Sequence, residues 1–172
     1  MSFDLYPFVR GWEYGVVPLG YKKGFASVGG GTITLDIPGP VSLRFLAVAV
    51  GGSVDAKYST VVGEILEGGR TIAKPLEFTF YQLYESGAWQ VSDFAPTLAK
   101  YDETQGAYVM VLGSQMGYMV AREGQVIRVE LTPPPSPVEL PSPSSFEYEI
   151  AAVYRRYTPE AERSLREVLG VG

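Results

Sequence analysis

Short runs of alternating apolar and polar residues fill most of this chain. Thr32-Ile33-Thr34-Leu35-Asp36-Ile37 alternates one by one, the period-two signature of a half-buried strand, and Pro38-Gly39-Pro40 ends it. Residues 41–50 are apolar almost throughout, which predicts a strand buried on both faces. Residues 54–66 predict another strand, with Gly63 as a bulge. Residues 76–84 set Phe78, Phe80 and Tyr84 against Glu77, Thr79 and Tyr81 and also predict a strand. A short strand at 87–91 and a loop over 93–106 follow. Residues 107–112 and 116–121 predict a hairpin around Gly113-Ser114-Gln115, and 125–131 one more strand. In the last strand, 146–154, Phe146, Tyr148, Ile150 and Ala152 share one face, with Glu147 and Glu149 on the other.

Three segments break this rhythm. Residues 1–28 are rich in aromatics, including Phe3, Tyr6, Phe8, Trp12, Tyr14, Tyr21 and Phe25, and read as an extended arm or two short edge strands. Gly29-Gly30-Gly31 would be a tight turn, or a hinge about which the arm swings. Residues 133–145 are proline-rich, and proline offers no backbone donor to a central ladder. At about 3.1 Å per residue this stretch reaches roughly 40 Å, far more than the ~10 Å between packed sheets, so it can carry the chain from one sheet to the other. Residues 158–169 predict a helix with Thr158 as N-cap, Pro159 at its first position and Glu160 and Glu162 in its first turn. Its stripe of Ala161, Leu165, Val168 and Leu169 requires a covering surface. Phe3, Tyr6, Phe8, Trp12, Tyr14, Leu165, Val168 and Leu169 are therefore the candidate subunit-interface residues, since aromatics are favoured at interface cores.

Together these elements predict one all-β domain over residues 1–172. It would be a single jelly-roll sandwich or barrel of about eight to ten antiparallel strands, closed by a short C-terminal helix. No internal repeat is present.

Composition changes the picture chiefly through what is missing. The chain has no cysteine, histidine or asparagine. Ser-His-Asp and Cys-His chemistry are thereby excluded, as are disulfides and soft metal ligands. Turns are built from Gly, Pro, Asp and Ser instead of the usual Asn. With Arg outnumbering Lys, this reads as a heat-adapted protein. The net charge of −5 disfavours a phosphate backbone as partner. The first residues show no basic region followed by an apolar stretch, so they do not read as an export signal. No apolar run approaches the ~18 residues of a membrane-spanning helix.

Candidate chemistry is sparse. Gly15 to Gly20 carries the glycines of a phosphate loop, but Tyr21 stands where lysine is required. No Ser-x-x-Lys occurs. Asp102-Glu103 with Asp93 is the best oxygen cluster for calcium, set against a solvated loop. Glu77, Glu147 and Glu149 lie on strands, and paired carboxylates hydrolyse glycosides without histidine. Trp12, Trp89 or Tyr84 would form the platform of a carbohydrate-binding sandwich. None of these is strong enough to assign a catalytic, cofactor or metal residue, and the chain reads as a non-enzyme with no cofactor.

The whole-chain profile resembles the smaller major capsid protein of tailless, internal-membrane icosahedral phages of thermophilic bacteria. The resemblance lies in size, cysteine-free composition, the strand-turn rhythm from Thr32 to Tyr154 and the proline stretch from Pro133 to Pro143. It implies a single jelly roll acting as a coat subunit, made in the host cytoplasm and located in the virion. The implied partners are copies of itself, a dimer being the simplest form, and a larger companion coat protein. The helix at 158–169 has no counterpart in that pattern.

Overall fold

In the computed structural model, which describes residues 19–87, 96–104, 106–113, 119–139, 143–156 and 160, the alternating runs pair into two antiparallel sheets. The strands are β1 (Leu19–Ser27), β2 (Ile33–Pro38), β3 (Val41–Gly51), β4 (Thr60–Glu67), β5 (Arg70–Thr79), β6 (Thr97–Asp102), β7 (Ala107–Gly113), β8 (Val120–Ala121), β9 (Gln125–Thr132) and β10 (Ser145–Arg156). The first sheet runs β1-β10-β3-β7-β6, with β8 against β3, and the second runs β2-β9-β4-β5. The pairing is nested: β4 with β5, β3 with β7, β2 with β9 and β1 with β10.

The inner faces make the main core of an all-β sandwich. Leu43, Leu46, Val48 and Val50 of β3 and Phe146, Tyr148, Ile150 and Ala152 of β10 meet Val61 of β4 and Ile127, Val129 and Leu131 of β9. β3 is buried on both faces, as its unbroken apolar run predicts. Its other face carries Phe45, Ala47 and Ala49 into a second buried cluster with Val109, Ala151 and Val153. Glu149, which alternation sets opposite the apolar face, shares that outward face of β10 and is only 4% exposed, so the polar side of this strand is not a solvated one.

Several sequence expectations need correction. Residues 54–66 are not one strand: Val54–Tyr58 is a 3-10 turn, and β4 begins at Thr60. Ser53 caps that turn by accepting from the Asp55 amide, a local bond that competes with strand pairing. The β4–β5 register does shift at Gly63. Residues 76–84 alternate like a strand, but the strand stops at Thr79 and Phe80–Glu85 is a helix, α1. Thr79 and Gln82 close a reciprocal capping box, and Phe80 and Leu83, three apart, turn into the core. The expected loop over 93–106 contains β6. Of the expected hairpin of 107–112 with 116–121, residues 114–118 lie outside the described residues, and among those described β7 pairs with β3 and β6 whereas β8 pairs with β3 beyond the end of β7. Of the two readings of residues 1–28, the edge-strand one holds for β1: it is the terminal strand of the first sheet and all nine of its residues are in register with β10, so it does not swing about Gly29-Gly30-Gly31. Residues 1–18, the strand expected at 87–91 beyond Gly87, and the C-terminal helix apart from Glu160 lie outside the described residues.

The proline-rich stretch leaves β9 in the second sheet and delivers the chain to β10 in the first. Both of its ends are held by the β1–β2 turn, where Gly29 N–H donates to Pro134 and Val28 N–H to Ser144. At the opposite end of the sandwich, β2 and β3 are joined through Gly39-Pro40. The Gly39 amide donates to Gln125, and a Cβ on Gly39 would run into the Arg122 carbonyl. Gly39→Ala must push these turns apart and should cost about 1–3 kcal/mol. A lowered urea midpoint with an unchanged m value is the expected reading.

Candidate functional site

The densest polar and aromatic chemistry among the described residues lies at the loop end of the sandwich. The 3-10 turn, α1, the β6–β7 turn and the proline-rich crossover meet there. Asp55 is fully buried, and its carboxylate accepts the amides of Val138, at 3.2 Å, and Glu139, at 2.9 Å. Ser53 Oγ donates to the Pro143 carbonyl at 2.6 Å. The turn and its N-cap thus hold the crossover at two points.

Lys57 sits on the same turn and is 3% exposed. Its Nζ pairs with Glu139 Oε2 at 3.1 Å and Glu103 Oε1 at 3.4 Å. It also lies 5.4 Å from the Tyr58 ring and 5.5 Å from the Tyr81 ring, within cation–π range. Burial pulls the Lys57 ammonium down, but its bond to Glu139 and the surrounding groups outweigh this and leave its pKa above the ordinary value. The Tyr101 hydroxyl donates to Glu103 at 2.7 Å. That bond first, then Lys57, holds the Glu103 carboxyl below the usual range. Burial, followed by the Glu103 contact, pushes the Tyr101 phenol strongly up.

Five tyrosines line the cluster. Tyr84 stacks on Tyr101 at 4.1 Å and 13°, Tyr101 meets Tyr108 at 4.8 Å, and Tyr58 meets Tyr81 at 5.4 Å. Tyr108 is fully buried, and burial pushes its phenol up to about 12. Tyr84 is 41% exposed and opens the stack to the surface. Gly106 closes the β6–β7 turn at φ +59°, and a Cβ there would lie 2.8 Å from the Ser53 carbonyl carbon. Between these turns a cleft of about 130 Å³ is lined by Gly52, Ser53, Val54, Thr104, Gly106 and Pro143. This is below the ~300 Å³ at which small-molecule pockets begin.

The expected sites distribute as follows. Phe3, Tyr6, Phe8, Trp12, Tyr14, Trp89, Asp93, Leu165, Val168 and Leu169 lie outside the described residues. Glu103 is committed to Lys57 and Tyr101, and among the described residues no three acidic side chains are grouped to hold a metal. Glu77 is on the second sheet and pairs with Lys74, whereas Glu147 and Glu149 are on the first, so the three do not converge. Elsewhere among the described residues Glu64 and Glu130, on neighbouring strands of the second sheet, bring two carboxyl groups together. Arg128 is occupied by a two-bond pairing with Asp36, at 2.7 and 3.0 Å, and Thr71 donates to Glu64 at 2.9 Å. Burial, then the neighbouring Glu64, raises the Glu130 pKa. Neither Lys57 nor Glu64 belongs to a motif or pattern legible in the sequence. The Thr79-x-x-Gln82 capping signature was a signal that Tyr81 and Tyr84 belong to a helix. Nothing local marked Lys57. The chain matches no protein-family model and no curated protein at a significant level.

Two outcomes test the cluster. Asp55→Ala orphans two amides and should cost about 3 kcal/mol, more than Lys57→Met, whose freed carboxylates are partly solvated. Urea titration of both variants checks the order. The depressed Glu103 pKa contributes stability above the unfolded carboxyl value of ~4.3, and that contribution is lost as pH falls through the folded value. Glu103→Gln should therefore flatten the acid leg of the stability–pH curve, leaving the part due to Asp36, which its bond to Arg128 also holds low.

Proposed function

We propose that this protein is a coat subunit built on a single jelly roll, a structural component of a virion and not a catalyst. The observation that carries the proposal is the strand order, β1-β10-β3-β7 facing β2-β9-β4-β5. Nested pairing of first strand with last is what a long antiparallel ribbon produces when rolled into two sheets, the jelly-roll plan that viral coats and lectins share. Further support comes from the loop end. Buried Lys57 and the tyrosines around it knit four connections into a firm surface, as a subunit held by neighbours requires. The resemblance to the smaller coat proteins of internal-membrane phages of thermophiles points the same way, with copies of the chain and a larger coat protein as partners.

One observation favours a second reading, a carbohydrate-binding sandwich. Tyr84 presents an exposed aromatic ring, although Tyr101 covers one of its faces at 4.1 Å. Mass spectrometry of particles purified from a thermophilic host should find this chain as an abundant component. Its absence from particles, together with glycan-array binding that Tyr84→Ala abolishes, would replace the coat reading with the second.

A further inference from the structure

The outward face of the first sheet is buried, yet the sheet by itself cannot bury it. The register sets Tyr21, Ala151, Ala47 and Val111 in one row across that face, and Lys23, Glu149, Ala49 and Val109 in the next. Phe45, Ala47, Ala49, Val109, Ala151 and Val153 are each 7% exposed or less. Glu149 lies among them and is buried too. All belong to β3, β7 and β10, and among the described residues no second layer joins the cluster. Three of the six are alanines, whose single methyl groups cannot screen one another from water on strands ~4.8 Å apart. The cover therefore comes from elsewhere in the chain. It lies over β10 and β3 but not over the edge, where Tyr21, Lys23 and Phe25 are exposed.

Only the segments before β1 and after β10 are long enough to cover the whole face, because the internal segments between described elements are short and tied at both ends. The segment after β10 is directed elsewhere. Arg156 donates to the Pro38 carbonyl of the second sheet at 3.0 Å and lies 5.4 Å from the ring of Tyr154, a member of the main core. The segment before β1 starts beside the face, since Leu19 pairs with Val153. Residues 1–18 reach roughly 60 Å at ~3.3 Å per residue, whereas Val153 and Glu149 are only about 13 Å apart along β10. Their chemistry also fits. Phe8, Trp12 and Tyr14 have the bulk to fill the shallow floor that the alanines leave, and Arg10 is the one Lys or Arg among residues 1–18. A carboxylate as deep as Glu149 requires a cation or donors from its covering layer. Lys23, opposite it in register, is exposed.

We propose that residues 1–18 fold back from β1 onto the outward face of the first sheet of their own chain, their aromatic side chains on the alanine floor and Arg10 paired with Glu149. The proposal goes beyond the coat-subunit reading and does not depend on it. It makes the arm a third layer of the subunit and closes this face to partners, so that contacts between subunits use other surfaces.

Disulfide trapping in the full chain tests it. The chain has no cysteine of its own, so any disulfide reports the introduced pair alone. Phe8→Cys, Trp12→Cys and Tyr14→Cys are each combined with Ala151→Cys and oxidised, with Leu165→Cys plus Ala151→Cys as the rival pair. At least one arm pair should close within a single chain, seen as a faster-running monomer on a non-reducing gel, because bridging needs Cα atoms within about 7 Å. The rival pair should stay open. Arg10→Gln and Glu149→Gln should each lower the folding equilibrium constant at least tenfold, and the double variant should lower it no further than the worse single one. A disulfide from Leu165 with none from the arm overturns the proposal in favour of the C-terminal segment. A disulfide that joins two chains overturns it in favour of an arm exchanged between copies. Fully additive effects of Arg10→Gln and Glu149→Gln overturn the ion pair. Should Glu149→Gln fail to fold, the trapping result decides by itself.

Discussion

The connection from β9 to β10 is the constraint on which the rest of this structure depends. β10 lies between β1 and β3 in the first sheet, yet the strand before it belongs to the second. The chain must therefore cross between sheets late in the sequence, through a segment whose prolines supply no backbone donors. Asp55 takes two of the amides that segment does have, and Lys57 takes the carboxylate of Glu139. Burying these two charges is tolerable because every contact they make is charge-assisted. One short 3-10 turn thereby fixes where the final strand enters the core.

That entry decides the packing. β3 and β10 are neighbours, and each contributes to two buried clusters. The outward cluster uses alanine and valine, Ala47, Ala49 and Ala151 among them, so that face is nearly as apolar as the inner one. Edge β5 is handled differently. Pro75 and Lys74 sit at the register shift opposite Glu64, where a missing donor and a charge discourage pairing with a foreign strand. The second sheet faces outward with charge: Asp36 pairs with Arg128, and Glu64 with Thr71.

Strand-forming runs were legible where period two was clean, as in β2, β9 and β10, because alternation states which side chains face the core. The double burial of β3 was equally legible from its unbroken apolar run. Position in a sheet was not, because pairing joins residues a hundred or more apart, such as Leu19 and Val153. Residues 76–84 show the limit within one segment. Alternation favoured a strand, whereas the Thr79–Gln82 capping box, a two-residue signal, started a helix. The cluster at Lys57 was invisible for the same reason as the sheet order. Its members come from residues 55, 81, 103 and 139, and only the folded chain brings them together through hydrogen bonds, ion pairs and ring contacts. What the sequence alone determined was local: which segments extend, which faces are apolar, and which chemistries lack their residues. The tertiary structure decided which strands are neighbours, which charges are buried, and which end of the molecule each loop occupies, because those depend on contacts between distant parts of the chain.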